Sequence, residues 1–279
     1  MQTIRALLLV ALAAPATADV LFTRSVHTDE VQTPQGVLPA KDETQTIWLG
    51  KDMLRAEMGS STFIVRLDTR KLYVLDPAAR TYSALDLPVN LAKHVAPDQV
   101  PVYEQIKARL AITTLVTTTD ETERMKGWGT KKFKVQLTSS QGPLSEETIW
   151  TTKDIEVDWS TFWEAQAALR SLQPGSESYI QEMRKLDGVT VKAERIRMQG
   201  ERKIRSVDEL VSAERRDAPQ GVYEPPKDYT EKPFDTIVEI RRLMGARPNA
   251  GPGDAPAKPE EKKDDAPRRR KDAEEKKGG

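Results

Sequence analysis

The chain has 279 residues, 43 of them basic and 43 acidic, so its formal net charge is zero, and it has no cysteine. Zero cysteine excludes disulfides, a thiol nucleophile, a thiolate metal site and the lipidated cysteine of a bacterial lipoprotein. The even charge excludes the basic excess that a nucleic-acid binder concentrates on one face.

The N-terminus opens with Arg5, runs through the apolar stretch Ala6–Ala14, and reaches Ala16-Thr17-Ala18 before Asp19. A basic start, a short apolar run and small residues at the −3 and −1 positions form a secretory signal, with the cut between Ala18 and Asp19. The apolar run is about half the length that a spanning helix needs, and no later stretch approaches it. The expected organisation is a signal at 1–18, one β-rich domain at 19–244, and a charged tail at 245–279. The expected location is the periplasm, as a soluble protein without a lipid anchor.

Asp19–Val31 supplies a first strand, and Thr33-Pro34-Gln35-Gly36 a loop. From Thr44 to Leu85, short strands alternate with turn residues every eight to twelve positions, which reads as an antiparallel meander. Leu54, Ala56 and Met58 share one strand face, and Phe63, Val65 and Leu67 share another. Leu72–Leu75 and Thr81–Leu85 complete the set. Val100–Leu110 predicts a short helix whose apolar face is Val102, Ile106 and Leu110.

Val116–Arg124 and Lys131–Thr138 frame a turn at Gly127-Trp128-Gly129. Phe133, Val135 and Leu137 alternate with Lys132, Lys134 and Gln136 at period two. Glu147–Thr152 adds a strand. Thr161 and Glu164 have capping-box spacing, predicting a helix with Phe162, Ala165, Leu169 and Leu172 on one stripe. A second helix over Glu177–Leu186 carries Tyr179, Ile180, Met183 and Leu186. In the next strand Val189, Val191 and Ala193 alternate, and the phase changes at Ile196, which predicts a bulge. Lys203–Arg215 is a last long strand. Pro219, Pro225 and Pro226 mark an extended coil, and Phe234–Met244 a terminal helix. From Gly245 onward, five prolines interrupt charge runs such as Arg268–Lys271 with no large apolar residue, which predicts disorder.

The fold class is therefore mainly β with α: a curved antiparallel sheet, an open half-barrel, covered by two or three short amphipathic helices. Chemistry is sparse. His27 and His94 are far apart in sequence and read as surface or loop residues. Asp154, Glu156 and Asp158 alternate and could pair as acid and base, yet they sit at a strand-to-helix junction, where turn and capping duties explain them. No phosphate-binding glycine loop and no nucleophile elbow occurs. We expect no enzyme, no cofactor and no metal site.

Several motifs occur in a fixed order: Ile47-Trp48-Leu49-Gly50-Lys51-Asp52-Met53-Leu54-Arg55, Arg66-Leu67-Asp68, Leu72–Asp76 and Thr81-Tyr82. Lys126-Gly127-Trp128, Trp150–Ile155, Leu210-Val211-Ser212 and Val222–Tyr229 follow. Together they resemble an uncharacterised family of bacterial exported proteins classed as a domain of unknown function. That family is distantly similar to periplasmic outer-membrane lipoprotein carriers of the LolA/LolB type. The resemblance implies an open half-barrel that handles an apolar ligand, a lipid or lipoprotein acyl chain. The residues expected to line its cavity are Leu54, Phe63, Val65, Val74, Phe133, Val135, Trp150, Phe162, Leu169 and Met183. The alternative is an envelope interaction protein with a packed core and a charged tethering tail.

Overall fold

A computed structural model describes residues 18–33, 36–199 and 202–243. The expected tail, and all of the expected signal except Ala18, lie outside the described residues. So do Pro34 and Gln35 of the expected loop.

Strand β1 (Val20–Thr28) leads to a small separate hairpin of β2 (Val31–Thr33) and β3 (Gly36–Leu38). A five-stranded meander follows: β4 (Lys41–Gly50), β5 (Met53–Met58), β6 (Ser61–Arg66), β7 (Lys71–Asp76) and β8 (Thr81–Asp86). Helix α1 (Val100–Leu110) links it to strands β9 (Ile112–Met125), β10 (Trp128–Ser139) and β11 (Gly142–Thr152). Helices α2 (Trp159–Arg170) and α3 (Glu177–Met183) come next, then β12 (Val189–Gln199) and β13 (Arg202–Arg215). A coil leads to β14 (Thr230–Glu231) and to α4 (Thr236–Leu243).

Among the described residues, twelve strands form one curved sheet in the order β14-β8-β7-β6-β5-β4-β1-β13-β12-β11-β10-β9. The sheet is two antiparallel meanders joined by β1, which pairs over its whole length with β4 on one side and β13 on the other. Only the two-residue β14 runs parallel to its neighbour. The two edges do not meet, so the sheet stays an open half-barrel with helices on its inner face. No described helix is long and apolar enough to cross a membrane.

Period-two alternation puts Leu54, Ala56, Phe63, Val65, Leu72 and Val74 on the inner face, where they join one core with residues of α1, α2 and α4. The outer face of β6 and β7 is not left to solvent. Ile64 and Leu75 are buried against Trp48 and Tyr223, because the proline-containing coil after β13 crosses behind the first meander. Tyr223 anchors that coil by donating its hydroxyl to the Asp19 carboxylate at 3.1 Å. Burial, with the Asp19 charge added, pushes the Tyr223 hydroxyl pKa well up. A Cβ on Gly50 would sit 2.7 Å from Asp19 Oδ1 and 2.8 Å from the Tyr223 hydroxyl, so the anchor requires glycine there.

Several local expectations are corrected. The turn between β9 and β10 is Lys126-Gly127, both at positive φ (49° and 94°), the signature of a type I′ hairpin. Trp128 and Gly129 therefore belong to β10. The N-cap of α2 is Asp158, whose side chain accepts from the Thr161 N–H at 3.1 Å. Thr161 lies one turn inside the helix and is buried. Asp at N-cap satisfies an orphan amide as well as Thr does, and it starts the helix three residues earlier. In α1 the buried residue is Tyr103, at 5% exposure, while Val102 is 44% exposed. The irregularity of β12 falls at Val191, opposite Trp150 and Thr151, and pairing with β13 is unbroken through Ile196. The phase change at Ile196 has another cause: Arg195 occupies the inner face where an apolar residue was expected.

That arginine belongs to a row of alternating charges across four adjacent strands. Arg24 (β1) binds Asp208 (β13) at 2.8 Å, Asp208 faces Arg195 (β12) at 3.4 Å, and Arg195 binds Glu147 (β11) at 3.2 Å. Arg24 also donates to the Thr190 carbonyl at 2.7 Å. Burial works against the Arg195 guanidinium, but the Glu147 and Asp208 carboxylates outweigh it and its pKa is raised.

Candidate functional site

The ten residues expected to line one cavity fall into three places. Leu54, Phe63, Val65 and Val74 pack with Phe162 and Leu169 of α2 in the main core. Phe133 and Val135 pack with Met183 of α3 in a second cluster under the other meander. Trp150 is not on the inner face at all. Its neighbour Ile149 points inward with Phe133, so strand alternation turns Trp150 outward. There it lies between Lys132 and Lys192, whose amines are 5.8 and 5.2 Å from its ring. Leu54 and Val65 are 0% exposed and Phe133 is 1% exposed, so these residues are packed core in this conformation.

The helices cover the inner face unevenly. Helix α2 is buried through small side chains, Thr161, Ala165 and Ala168, which let its backbone lie close to the sheet. Its large residues Trp159, Phe162 and Trp163 stay half-buried and stack edge to face, with centroids 5.7 and 5.3 Å apart. Helix α3 lies along β9, the free edge of the sheet. Ser178 accepts from the Thr114 N–H at 2.9 Å, and Glu182 from the Val116 N–H at 3.0 Å. These side chains cap edge amides that would otherwise recruit another strand.

Core side chains reach the surface at a crevice of about 240 Å³. Its apolar wall is Val20, Trp128, Ile155 and Ala213, all members of the main core or packed against it. Its rim is charged: Asp154 and Glu156 come from the segment between β11 and α2, and Arg215 from the end of β13. Arg215 donates to the Glu156 carbonyl at 3.0 Å and lies 3.2 Å from its carboxylate. The Asp154 carboxylate accepts from the Gly129 N–H at 2.7 Å, and Asp158 caps α2. Each member of the acidic triplet is thus tied to its own backbone or arginine partner. They do not converge as an acid–base pair.

Among the described residues, no group of three His, Asp or Glu side chains is placed to hold a metal ion. His27 has partners the sequence did not announce: its ring nitrogens lie 2.7 Å from Asp42 and 3.3 Å from Asp29. The hydrogen bond to Asp42 raises its pKa above the usual imidazole value. Sequence reasoning missed Val20, Trp128 and Ala213 as site residues. For Trp128, a large aromatic between two glycines looked like a turn, although its placement one residue after a Lys-Gly turn was the available signal.

The described residues thus define a mainly β domain, an open half-barrel with helices on its inner face and an apolar crevice under a charged rim. The chain belongs to a family described as a domain of unknown function (DUF4412), whose model matches residues 35–229. Comparison with curated proteins found no match. Among solved structures, PNGF-II is 11% identical with a TM-score of 0.40, covering 82% of this chain and 33% of that one. The chain thus spans about a third of the length of PNGF-II. A LolA superfamily protein from Nitrosomonas europaea is 10% identical with a TM-score of 0.31, covering 76% and 91% of the two chains. A putative outer membrane lipoprotein-sorting protein domain from Vibrio parahaemolyticus is 8% identical with a TM-score of 0.27, covering 74% and 89%.

Proposed function

We propose that this protein is a non-catalytic periplasmic binding protein that shelters an acyl chain or a similar apolar moiety. The observation that carries this reading is the crevice at Val20, Trp128, Ile155 and Ala213, where core side chains meet solvent under the Arg215–Glu156 pair. An amphiphile needs an apolar wall beside a charged rim, and both are present there. The crevice is smaller than most small-molecule sites, so a long chain enters only as the 153–158 segment and α2 move outward. The small-residue seat of α2 and its half-buried aromatic side chains suit such a lid: lifting it uncovers Leu54, Phe63, Val65 and Val74.

A dansyl-labelled undecanoic acid, titrated into the mature chain, is expected to bind saturably with a blue shift. Ala213→Trp fills the crevice. Each methylene kept out costs about 0.8 kcal/mol, so excluding two weakens binding by more than about tenfold. The thermal midpoint of that variant should hold. No saturable binding by the parent protein sinks the carrier reading. It would leave an envelope interaction protein, a role favoured by the β2–β3 hairpin, where Val37 and Leu38 are exposed.

The same reading has the chain exported and cut between Ala18 and Asp19. Asp19 is the residue Tyr223 grips, and β1 starts one residue later. N-terminal sequencing of the envelope form should begin Asp-Val-Leu-Phe; an intact Met1 would refute export with cleavage.

A further inference from the structure

A second concavity, of about 360 Å³, lies on the outer face of the first meander, away from the crevice. One wall is Tyr73 of β7 and Tyr82 of β8, whose rings meet edge to face at 6.0 Å. The other wall is the coil, with Pro225, Pro226 and Tyr229. Two turn hydrogen bonds hold that coil, Glu224 N–H to the Gly221 carbonyl and Tyr229 N–H to the Pro226 carbonyl. The fixed φ of two consecutive prolines makes the wall rigid before anything binds.

Every polar side chain of this dish except Glu224 can donate a hydrogen bond. Arg66 spends Nε and Nη2 on Asp68, at 2.8 and 2.7 Å, and keeps Nη1. The Lys227 amine and the Tyr73 and Tyr229 hydroxyls have no partner among the described residues. One carboxylate stands against them, the exposed Glu224. It makes no hydrogen bond or ion pair within 4 Å among the described residues, although it lies near enough to Arg66 to help raise that guanidinium's pKa after the larger effect of Asp68.

We propose that this concavity binds an extended proline-rich peptide of a partner protein, with a basic residue beside the prolines. Proline offers a carbonyl acceptor and no N–H. A polyproline II segment makes no internal hydrogen bonds, so its carbonyls are free for the donors of the dish. Its rings fit between aromatic faces, and it loses little entropy on docking. The Glu224 carboxylate opposes a purely anionic ligand and meets the basic residue, which sets the direction of the peptide.

The test uses the mature chain and a fluorescein-labelled hexaproline peptide ending in arginine, followed by anisotropy. Saturable binding is expected, weakened about tenfold or more by Tyr73→Ala. Tyr73 also packs in the outer-face cluster, so the second variant is the exposed Glu224→Lys. It should reverse the preference, favouring a glutamate-ending peptide over the arginine-ending one. Absence of saturable binding to the parent protein, an unchanged preference in Glu224→Lys, or binding of a chito-oligosaccharide in place of the peptide overturns the proposal.

Discussion

Asp208→Ala is expected to destabilise the fold by about 3–5 kcal/mol, the cost of breaking a buried ion pair by removing one partner. Asp208 sits between two arginines, 2.8 Å from Arg24 and 3.4 Å from Arg195. Its removal leaves Arg24, itself 8% exposed, with only the Thr190 carbonyl as a partner. The damage lands on the single join between the two meanders, since Arg24 is on β1 and Asp208 on β13. Urea unfolding should show a lower midpoint. The double variant Arg24→Met with Asp208→Leu should recover much of the loss, because an apolar pair of similar volume strands no charge. A single variant within about 0.5 kcal/mol of the parent protein would mean that water compensates the arginines.

Phe133→Ala is the second large expected effect, again about 3–5 kcal/mol. The ring is packed among Val116, Val135, Ile149, Leu186 and Ala193, a small cluster with little slack to collapse. Phe63→Ala provides the contrast. Phe63 lies on the inner face beneath the proposed lid, and it should lose stability and, if the lid opens over it, alter the binding of the fatty-acid probe as well. Phe133→Ala should leave that binding unchanged. A probe affinity that falls in Phe133→Ala and holds in Phe63→Ala would place the ligand under the second meander instead of the first.

Much of the fold was legible because the meanders are local. Leu54 to Leu85 announce their strands by alternation and their turns by Gly50, Gly59 and Asp76, with no information from elsewhere in the chain. The burial of Ile64 was not legible, because the coil that covers it arrives more than 150 residues later. The charged row was hidden for a related reason. A polar residue in an alternating strand is assigned to solvent by pattern, and only the pairing of β1, β13, β12 and β11 puts Arg24, Asp208, Arg195 and Glu147 side by side. The cap of α2 was a contest between Asp158 and Thr161, two residues with similar capping strength, and sequence alone does not rank them. The outward face of Trp150 was hidden as the charged row was: its partners Lys132 and Lys192 are set beside it only by the register of β10, β11 and β12.

The position of β1 sets the order in which the molecule can be built. Strands β1 and β4–β8 are close in sequence and assemble as one slab; β9–β13 assemble as another. The seam between them pairs Val20 with Arg215 and Thr28 with Ser206, so it closes only after nearly the whole domain is available. A chain that emerges amino end first therefore holds its central strand with one side bare until the thirteenth strand arrives. During that interval about half of the β1 residues, those whose amides and carbonyls point away from β4, stay unpaired, an adhesive flank for any neighbouring extended chain. Because this pairing spans the greatest sequence separation of the sheet's antiparallel pairs, its zipping is expected to be the slow step of folding, and a chain interrupted before Arg202 lacks the strand that covers this flank.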